Sequence, residues 1–232
     1  MRAMAKGFIG ISSTNTSPLM CPTRSIEAGL GTNPLSFAAP ADKGDSFVLD
    51  MATTAVAVGK IEMQRRKGSL IPHGWAHDTE GNMTTDANVG FESGCLAPLG
   101  GDEITSGFKG YGLGAMVEVL CGVLAGSNFS TKIRKWTVSG DDSEANLGQF
   151  FMALDPKCFA PGFTGRMSEM NEILRNLTPI DPSNPVLIAG DPERQHMKKV
   201  DAEGGVKYNE NQIKNCEELA ERLGVSPIKF LN

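Results

Sequence analysis

The amino-acid sequence predicts an α/β or mixed α+β protein in which strands and helices alternate along the chain. The first observation is a series of short apolar runs bounded by Gly, Pro, Asn or Asp, which is typical of buried strands. The second is a set of longer stretches with apolar residues at helical spacing. The chain has 232 residues, 40% of them hydrophobic. It is therefore long enough to bury a large core, and we expect one domain with at most a small second lobe.

Three strands are predicted near the start of the chain, at Phe8–Ser12, Leu35–Ala38 and Phe47–Met51, because each apolar run there is bounded by breaker residues. A helix is predicted at about Thr54–Lys67, where apolar residues roughly follow helical spacing and Gly68 provides a stop.

The rest of the chain is predicted to be helix-rich after a long irregular stretch. Residues 70–107 show little periodicity and read mostly as loop, and loops of that length are usually functional. A strong helix follows at about Tyr111–Ala125. The remaining predicted elements are strands at Trp136–Val138, Phe150–Leu154 and Val186–Ala189, and helices at Arg166–Leu177 and Asn211–Leu223, the last with Asn209 as its N-cap.

Charge and composition exclude several classes of function. The formal net charge is −5 with interspersed signs, so we expect no nucleic acid or membrane surface as a partner, because those ligands need a concentrated basic face. The one basic run, 65–67, reads as a solvated helix end. No apolar stretch is long enough to cross a bilayer. Five widely spaced cysteines indicate reduced thiols and a cytoplasmic protein, without a disulfide scaffold or zinc site.

A glycine-rich run around Lys109 is the strongest local feature. Residues 107–114 read Gly-Phe-Lys-Gly-Tyr-Gly-Leu-Gly and lead into a helix. Glycines let the backbone approach a ligand closely, and a helix start presents unpaired N–H groups to an anion such as a pyrophosphate. The alternative is a tight turn whose glycines serve only packing.

A second candidate site lies at Asp50, where an apolar strand ends in Asp-Met-Ala-Thr-Thr before a helix. Strand ends that lead into helices are common ligand sites in α/β proteins. The alternative is a residue that caps the helix.

Other familiar sites are not supported by the sequence. His73 and His77 have the i, i+4 spacing of a metal pair, but Pro72 and Gly74 argue against a helix, and no metal site is expected. The Gly-rich segment 29–33 leads into a proline and a strand, so a Rossmann fold is not predicted. There is also no Gly-x-Ser-x-Gly elbow of a serine hydrolase.

These segments together resemble the malate/L-lactate dehydrogenase family, which also includes ureidoglycolate, sulfolactate and diketogulonate oxidoreductases. Each block is weak alone, but their order along nearly the whole chain is specific. The blocks are Gly-Phe-Ile-Gly-Ile at 7–11, Thr-Asn-Thr-Ser-Pro at 14–18, Leu-Gly-Thr-Asn-Pro-Leu at 30–35, Leu-Asp-Met-Ala-Thr-Thr at 49–54, Ile-Pro-His-Gly-Trp-Ala at 71–76, Pro-Leu-Gly-Gly at 98–101, Lys-Gly-Tyr-Gly-Leu at 109–113, Asn-x-Gly at 146–148 and Ile-x-Gly-x-Pro-Glu at 188–193.

The resemblance implies the family's three-layer fold around a mixed sheet, distinct from the Rossmann fold, and usually a homodimer. It implies a hydride transfer between NAD or NADP and a small 2-hydroxy or 2-oxo acid, with residues 1–160 forming the cofactor-binding domain and 161–232 a C-terminal segment. By residue match, the implied cofactor contacts are Thr16, Asp50, Met51, Ala52, Lys109, Gly190, Asp191 and Pro192, and the implied substrate-side residue is Gly148.

The chain also departs from the family pattern. The family commonly has Ser at the position of Thr16, Tyr at Phe108 and His at Gln149. Family chains begin roughly a third of their length earlier, and that part supplies the acid/base histidine and an arginine for the substrate carboxylate. Residues 161–232 are expected to pack against it. We therefore expect the catalytic residues to lie outside this sequence; the alternative is an inactive remnant or a dimerising partner.

Overall fold

Four antiparallel strands form the main sheet. A computed structural model describes residues 1–135, 143–208 and 210–229. The strands are β1 (Ile9–Thr14), β2 (Leu35–Pro40), β3 (Ser46–Met51) and β6 (Gln149–Leu154), in the spatial order β3-β2-β1-β6. Each pair of neighbours is antiparallel. A small antiparallel ribbon consists of β4 (Ala76–His77) and β5 (Met83–Thr84).

Six helices are present in the described ranges. They are α1 (Val58–Arg66), α2 (Ala87–Ser93), α3 (Gly107–Glu118), α4 (Phe163–Arg175), α5 (Asp191–Glu203) and α6 (Glu210–Leu223). A π-helical turn, Val119–Val123, continues α3. Single 3₁₀ turns occur at Met4–Lys6, Asp42–Gly44, Ser130–Lys132 and Pro156–Cys158.

The main hydrophobic core lies beside the sheet, between α1, α2 and the segments that cross them. Burying these apolar side chains is the main driving force that holds this part of the chain together. Arg65 also stacks over the Phe91 ring at 4.0 Å, so the basic end of α1 is partly used to join α1 to α2. The buried members of the core are Leu19, Val56, Ile61, Ile71, Ala76, Ala87 and Leu96.

Ion pairs attach the C-terminal helices to the sheet. Arg175 of α4 binds both Asp45, just before β3, and Asp191, at the start of α5, at 2.8 Å each. Arg194 of α5 binds Asp191 at 2.7 Å and the Ser46 carbonyl oxygen at 3.2 Å. Residues 161–203 are thus tied to β3, while the division of the chain at residue 160 stays a prediction.

The structure agrees with much of the predicted element order. The first three predicted strands and the strand at 150–154 are present, as are the helices at 166–177 and 211–223, with shifted ends. The helix predicted from Thr54 begins only at Val58. The predicted strand Trp136–Val138 and the predicted cap Asn209 lie outside the described residues.

One prediction about secondary structure is wrong, and another holds in outline. The stretch 70–107 is mostly loop as predicted, but it also contains the short elements β4, β5 and α2. Its elements are too short for periodicity to reveal. The wrong prediction is the strand at 186–189, which is not formed. Ile188 alone is buried there, and the Ala189 carbonyl accepts a hydrogen bond from the Val48 N–H at 3.0 Å. One such contact along the edge of β3 does not make a ladder.

The prediction that the cysteines are all reduced thiols is also wrong. Cys21 and Cys95 are buried and form a disulfide, with their Cα atoms 5.4 Å apart. They flank the parallel bridge between Met20 and Leu96. Pairing across 74 residues has no sequence signature, so spacing could not predict it. A cytoplasmic location, which rested partly on reduced thiols, stays a prediction.

The predicted α/β class is confirmed, and so is the prediction that the fold is not a Rossmann fold. A Rossmann domain needs parallel strands joined by crossover helices, whereas the pairings of the main sheet are antiparallel. The mixed sheet that the resemblance implies is not found in the main sheet of the described residues, where all three pairings are antiparallel.

Candidate functional site

A row of polar side chains crosses one face of the main sheet. Asp50 pairs with Ser36, Ser36 with Ser12, and Ser12 with Phe151, so the four residues lie side by side on neighbouring strands. The Ser12 and Ser36 hydroxyls are 2.8 Å apart. A row of this kind offers hydroxyl and carboxylate oxygens to a ligand that lies across the strands.

The first cavity opens over this row and has a volume of about 260 Å³. The Asp50 side chain is exposed and makes no hydrogen bond or ion pair within the described part of the chain. Its carboxylate can therefore accept hydrogen bonds from a ligand. The lining residues are Ser12, Ser13, Thr14, Pro34, Leu35, Ser36, Asp50, Gln149 and Phe151.

The second cavity, of about 420 Å³, is lined by Thr32, two residues before Pro34 in the wall of the first cavity. Its polar members include Thr16 and Thr32, whose hydroxyl oxygens are 3.4 Å apart. Apolar walls with a few polar groups are typical of sites that bind flat organic rings. The lining residues are Thr16, Ser17, Leu19, Thr32, Ala57, Val58, Ile133, Arg134, Ala145 and Leu147.

Thr53 joins the segments that carry the predicted site residues. Its side chain is fully buried, and both its N–H and its hydroxyl donate to the Thr32 carbonyl, at 2.9 and 3.1 Å. The Thr53 carbonyl accepts from the Leu99 N–H at 2.9 Å. The end of β3 is thereby fixed both to the segment under Thr16 and to the segment that supports α3.

The sequence interpretation of the glycine run was wrong in one respect, because the glycines lie inside α3 and not in a turn before it. Gly110 packs so closely on the Leu99 backbone that an added Cβ would lie 2.7 Å from the Leu99 Cα. An added Cβ at Gly114 would lie 2.6 Å from the Met20 side chain. Close packing, the alternative stated for these glycines, therefore accounts for both positions.

Lys109 lies in the first turn of α3, and its side chain is exposed. Two of the N–H groups at this helix start are already used, since Gly107 donates to the Asp102 carbonyl at 2.7 Å and Lys109 to the Ser106 carbonyl at 3.0 Å. Lys109 lines neither cavity. The next residue, Gly110, packs on the Leu99 backbone, and the Leu99 N–H donates to the Thr53 carbonyl. These contacts connect the first turn of α3, which carries Lys109, to the Asp50–Ala52 end of β3.

The alternative role suggested for the residues after Asp50, capping of the next helix, is not found. No side chain caps α1, which begins after Ala57. The Thr54 hydroxyl instead donates to the Val56 carbonyl at 2.8 Å.

The Gly190–Pro192 turn lies at the opposite end of β3 from Met51. An added Cβ at Gly190 would lie 3.2 Å from the Val48 Cβ, and Val48 shares its face of the sheet with Asp50. The Asp191 carboxylate is already bound by Arg175 and Arg194, and the Arg175 guanidinium holds the pKa of Asp191 well below its usual range. Asp191 is therefore occupied as a structural anchor, and its role in a ligand site stays a prediction.

Gly148 is buried, and its backbone groups are engaged within the chain. Its N–H donates to Asn15 Oδ1 at 2.9 Å, and its carbonyl accepts from the Thr14 hydroxyl at 3.1 Å. The next residue, Gln149, lines the first cavity. A substrate-side role at this position stays a prediction, and Gln149 is the side chain that reaches the cavity.

Sequence reasoning missed several residues that build the site. The Ser12–Ser36 row was hidden because strand register is needed to align it. Thr53 was noted only as part of the family block at 49–54, and Gln149 only as a departure from the family's His. The alternation of large apolar residues with small or polar ones in β1 and β2 was the one available signal.

The histidines lie away from both cavities. His73 lies in a turn and His77 in β4, and burial lowers the pKa of His77. Within residues 1–135, 143–208 and 210–229 there is no group of three or more His, Cys, Asp or Glu side chains that could hold a metal ion. None of the helices described is long and apolar enough to cross a membrane.

The antiparallel sheet, its row of polar groups and the cavities beside it define an α/β protein without a Rossmann fold. Residues 1–217 match the family model of malate/L-lactate dehydrogenase, and the chain belongs to that family. It is 38% identical to a malate dehydrogenase of Pyrococcus abyssi over 99% of this chain and 62% of the relative. It is 36% identical to the ureidoglycolate dehydrogenase (NAD(+)) of Escherichia coli K12 over 88% of this chain and 56% of the relative.

A solved structure supports the same fold. The crystal structure of malate dehydrogenase from Entamoeba histolytica aligns with a TM-score of 0.85 and 29% identity, covering 99% of this chain and 64% of that chain. The chain thus spans about three fifths of the length of the relatives it matches.

Proposed function

We propose that this chain carries the nicotinamide dinucleotide site of an oxidoreductase that transfers a hydride between NAD(H) or NADP(H) and a small 2-hydroxy or 2-oxo acid of the malate or lactate type. The observation that carries the proposal is the position of Thr53. It ties the Asp50–Ala52 strand end to the segment under Thr16 and to the support of α3. Three separate segments predicted to bind the cofactor thus share one framework.

The described residues fit such a cofactor. Asp50 offers an unpaired carboxylate, which suits the hydroxyl groups of a ribose. The apolar walls of the second cavity suit a flat ring, with the Thr16 hydroxyl to orient it. The exposed Lys109 ammonium supplies positive charge for a pyrophosphate. When bound, a nicotinamide supplies or accepts the hydride.

The first cavity is the proposed place of the acid substrate. The Gln149 amide can donate a hydrogen bond there, and Phe151 contributes an apolar wall. Neither cavity is lined by a histidine in the described ranges. The general acid is therefore not assigned to a residue of this chain.

A fluorescence titration of the full chain with NADH and NADPH tests the proposal. Asp50→Asn keeps the size of the side chain and removes its charge. Since hydrogen bonds to a charged group contribute about 1.5–3 kcal/mol, the dissociation constant should rise roughly tenfold to a hundredfold. Asp201→Asn, at an exposed position of α5, is the matched control. Reduction of oxaloacetate and pyruvate then distinguishes the acid substrates.

The proposal fails if the chain binds neither dinucleotide, or if Asp50→Asn and Asp201→Asn bind both as tightly as the unmodified chain. Thr16→Val provides a second test, because it removes only the hydroxyl from the wall of the second cavity.

Association of two copies belongs to the same proposal. Exposed apolar side chains follow helical spacing along α3 and its π-helical turn, at Phe108, Met116, Val119 and Val123, each about half exposed. A stripe of this kind is typical of a contact surface. Sedimentation of the unmodified chain and of Val119→Lys measures the association: a dimer that the lysine dissociates supports it, and a monomer in both cases contradicts it.

A further inference from the structure

Glu118, near the end of α3, is a carboxylate buried in the interior of the protein. It is 5% exposed. Three N–H groups donate to it: Asn15 Nδ2 at 3.0 Å, Asn33 Nδ2 at 2.6 Å and the Ser130 backbone at 2.8 Å. An ionised carboxylate is an acceptor only, so its two oxygens suit three donors. Burying a charge is unfavourable unless such bonds are present, and this carboxylate therefore needs all of its partners.

The two asparagines connect Glu118 to the walls of the cavities. Both are fully buried. Asn33 Oδ1 accepts from the Thr16 N–H at 3.1 Å, and Asn15 Oδ1 accepts from the Gly148 N–H at 2.9 Å. Glu118 is thus one side chain away from Thr16, which lines the second cavity, and from the backbone just before Gln149, which lines the first.

Backbone strain gathers around the same carboxylate. Asn33 and Ser130, two of its three donors, have positive φ values of 34° and 52°. Asn146 has a φ of 45°, and its carbonyl accepts from Asn128, whose own carbonyl accepts from Asn15. Residues other than glycine adopt such angles at a cost, and they keep them only where the surroundings fix them. Such strain is concentrated at functional sites.

The π-helical turn that follows Glu118 completes the arrangement. It places the Cys121 carbonyl directly against Gly148, where an added Cβ would overlap it. It also brings Gly122 against Asn15, because an added Cβ there would lie 3.0 Å from Asn15 Nδ2. Interruptions of this kind within α-helices are frequent at functional sites.

We propose that Glu118 is a positioning residue, which holds Thr16 and the Gly148–Gln149 segment in the geometry that a bound dinucleotide and its acid substrate require. The inference rests on the proposed function and deepens it. Glu118 itself touches neither cavity and acts through Asn15, Asn33 and Ser130.

Glu118→Gln tests this role, with Glu92→Gln on the exposed face of α2 as the matched control. Glutamine has nearly the same volume, but its NH₂ group cannot accept, so at least one of the three donors loses its partner. Amide hydrogen exchange followed by NMR on the full chain gives a readout that needs no ligand. We expect exchange at least about tenfold faster at the Thr16, Ser130 and Gly148 amides.

The amides of Ile71 and His77, which are hydrogen-bonded around the hydrophobic core, provide the internal reference. Their exchange should change less than about twofold, whereas a general loss of stability would accelerate them equally. Dissociation constants for NADH and NADPH, measured well below the unfolding temperature, should rise about tenfold in Glu118→Gln and stay unchanged in Glu92→Gln.

Unchanged exchange at the three amides overturns the inference, and so does faster exchange with unchanged dinucleotide binding, since Glu118 would then only support the fold. If the unmodified chain binds neither dinucleotide, the proposed function fails and the inference falls with it, while the exchange data still report on the network. If Glu118→Gln does not fold, Glu118→Asp keeps the charge but shortens its reach, and the same criteria apply to it.

Discussion

Replacing single glycines of α3 with alanine tests whether the run around Lys109 packs as a helix. Gly110 and Gly112 lie two residues apart in the same helix, but their surroundings differ. An added Cβ at Gly110 would overlap the Leu99 backbone, whereas at Gly112 nothing lies within 4 Å. The two substitutions are chemically identical, so any difference between them reports packing alone.

Alanine stabilises a helix interior relative to glycine by about 0.5–1 kcal/mol, and Gly112→Ala should gain that amount. Gly110→Ala gains the same propensity but must displace the backbone at Leu99, and overpacking of this kind costs typically 1–3 kcal/mol or more. Its net effect should be a loss of roughly 1–2 kcal/mol. In a protein of this size, 1 kcal/mol shifts the unfolding midpoint by about 2–4 °C.

Urea and thermal unfolding followed by circular dichroism measure both variants against the unmodified chain. Gly112→Ala should unfold about 1–4 °C higher and Gly110→Ala roughly 2–8 °C lower. Equal shifts of the same sign would contradict close packing at Gly110 and would favour the interpretation of the glycine run as a flexible turn.

Two further predictions concern other parts of the molecule. Arg175→Met should destabilise the chain by about 2–4 kcal/mol, because it leaves Asp45 and Asp191 without their shared partner, whereas Arg66→Met, at an exposed pair with Glu62, should cost about 0.5 kcal/mol or less in urea unfolding. Arg175 lowers the pKa of both aspartates. The stability that they contribute is therefore complete above their usual pKa of about 4 and is lost as the pH falls below it. In Arg175→Met the free energy of unfolding should decrease less steeply over this acid range. Reduction of the Cys21–Cys95 disulfide should lower the unfolding midpoint, because a cross-link that closes a loop of this length contributes up to about 4 kcal/mol to the free energy of unfolding. The same reductant should have no effect on the Cys21→Ser/Cys95→Ser double variant. A peptide map without this cross-link would contradict the pairing.

Local periodicity predicted the strands of the main sheet because each is a short apolar run with a breaker at its end. It placed the start of α3 four residues too late, at about Tyr111 instead of Gly107, since glycine disfavours helices and the run at 107–114 therefore reads as a turn. The packing of Gly110 on Leu99 overrides that preference, and it is a tertiary contact that no local pattern contains.

The candidate site was predictable only in part. Asp50 was found from its place at a strand end, but its partners Ser36 and Ser12 became visible only with the strand register. The buried bonds of Glu118 to Asn15 and Asn33 join residues 103 and 85 positions apart. Hydrogen-bond networks between residues so far apart in sequence form only in the completed fold, and the single polar residues that build them give no pattern in the sequence.

A crystal structure of the chain grown with NADH would show directly where the dinucleotide binds. We expect it beside the end of β3, with ribose hydroxyls on the Asp50 carboxylate and an apolar ring near the Thr16 hydroxyl. A dinucleotide bound elsewhere on the molecule, away from both Asp50 and Thr16, would contradict this expectation.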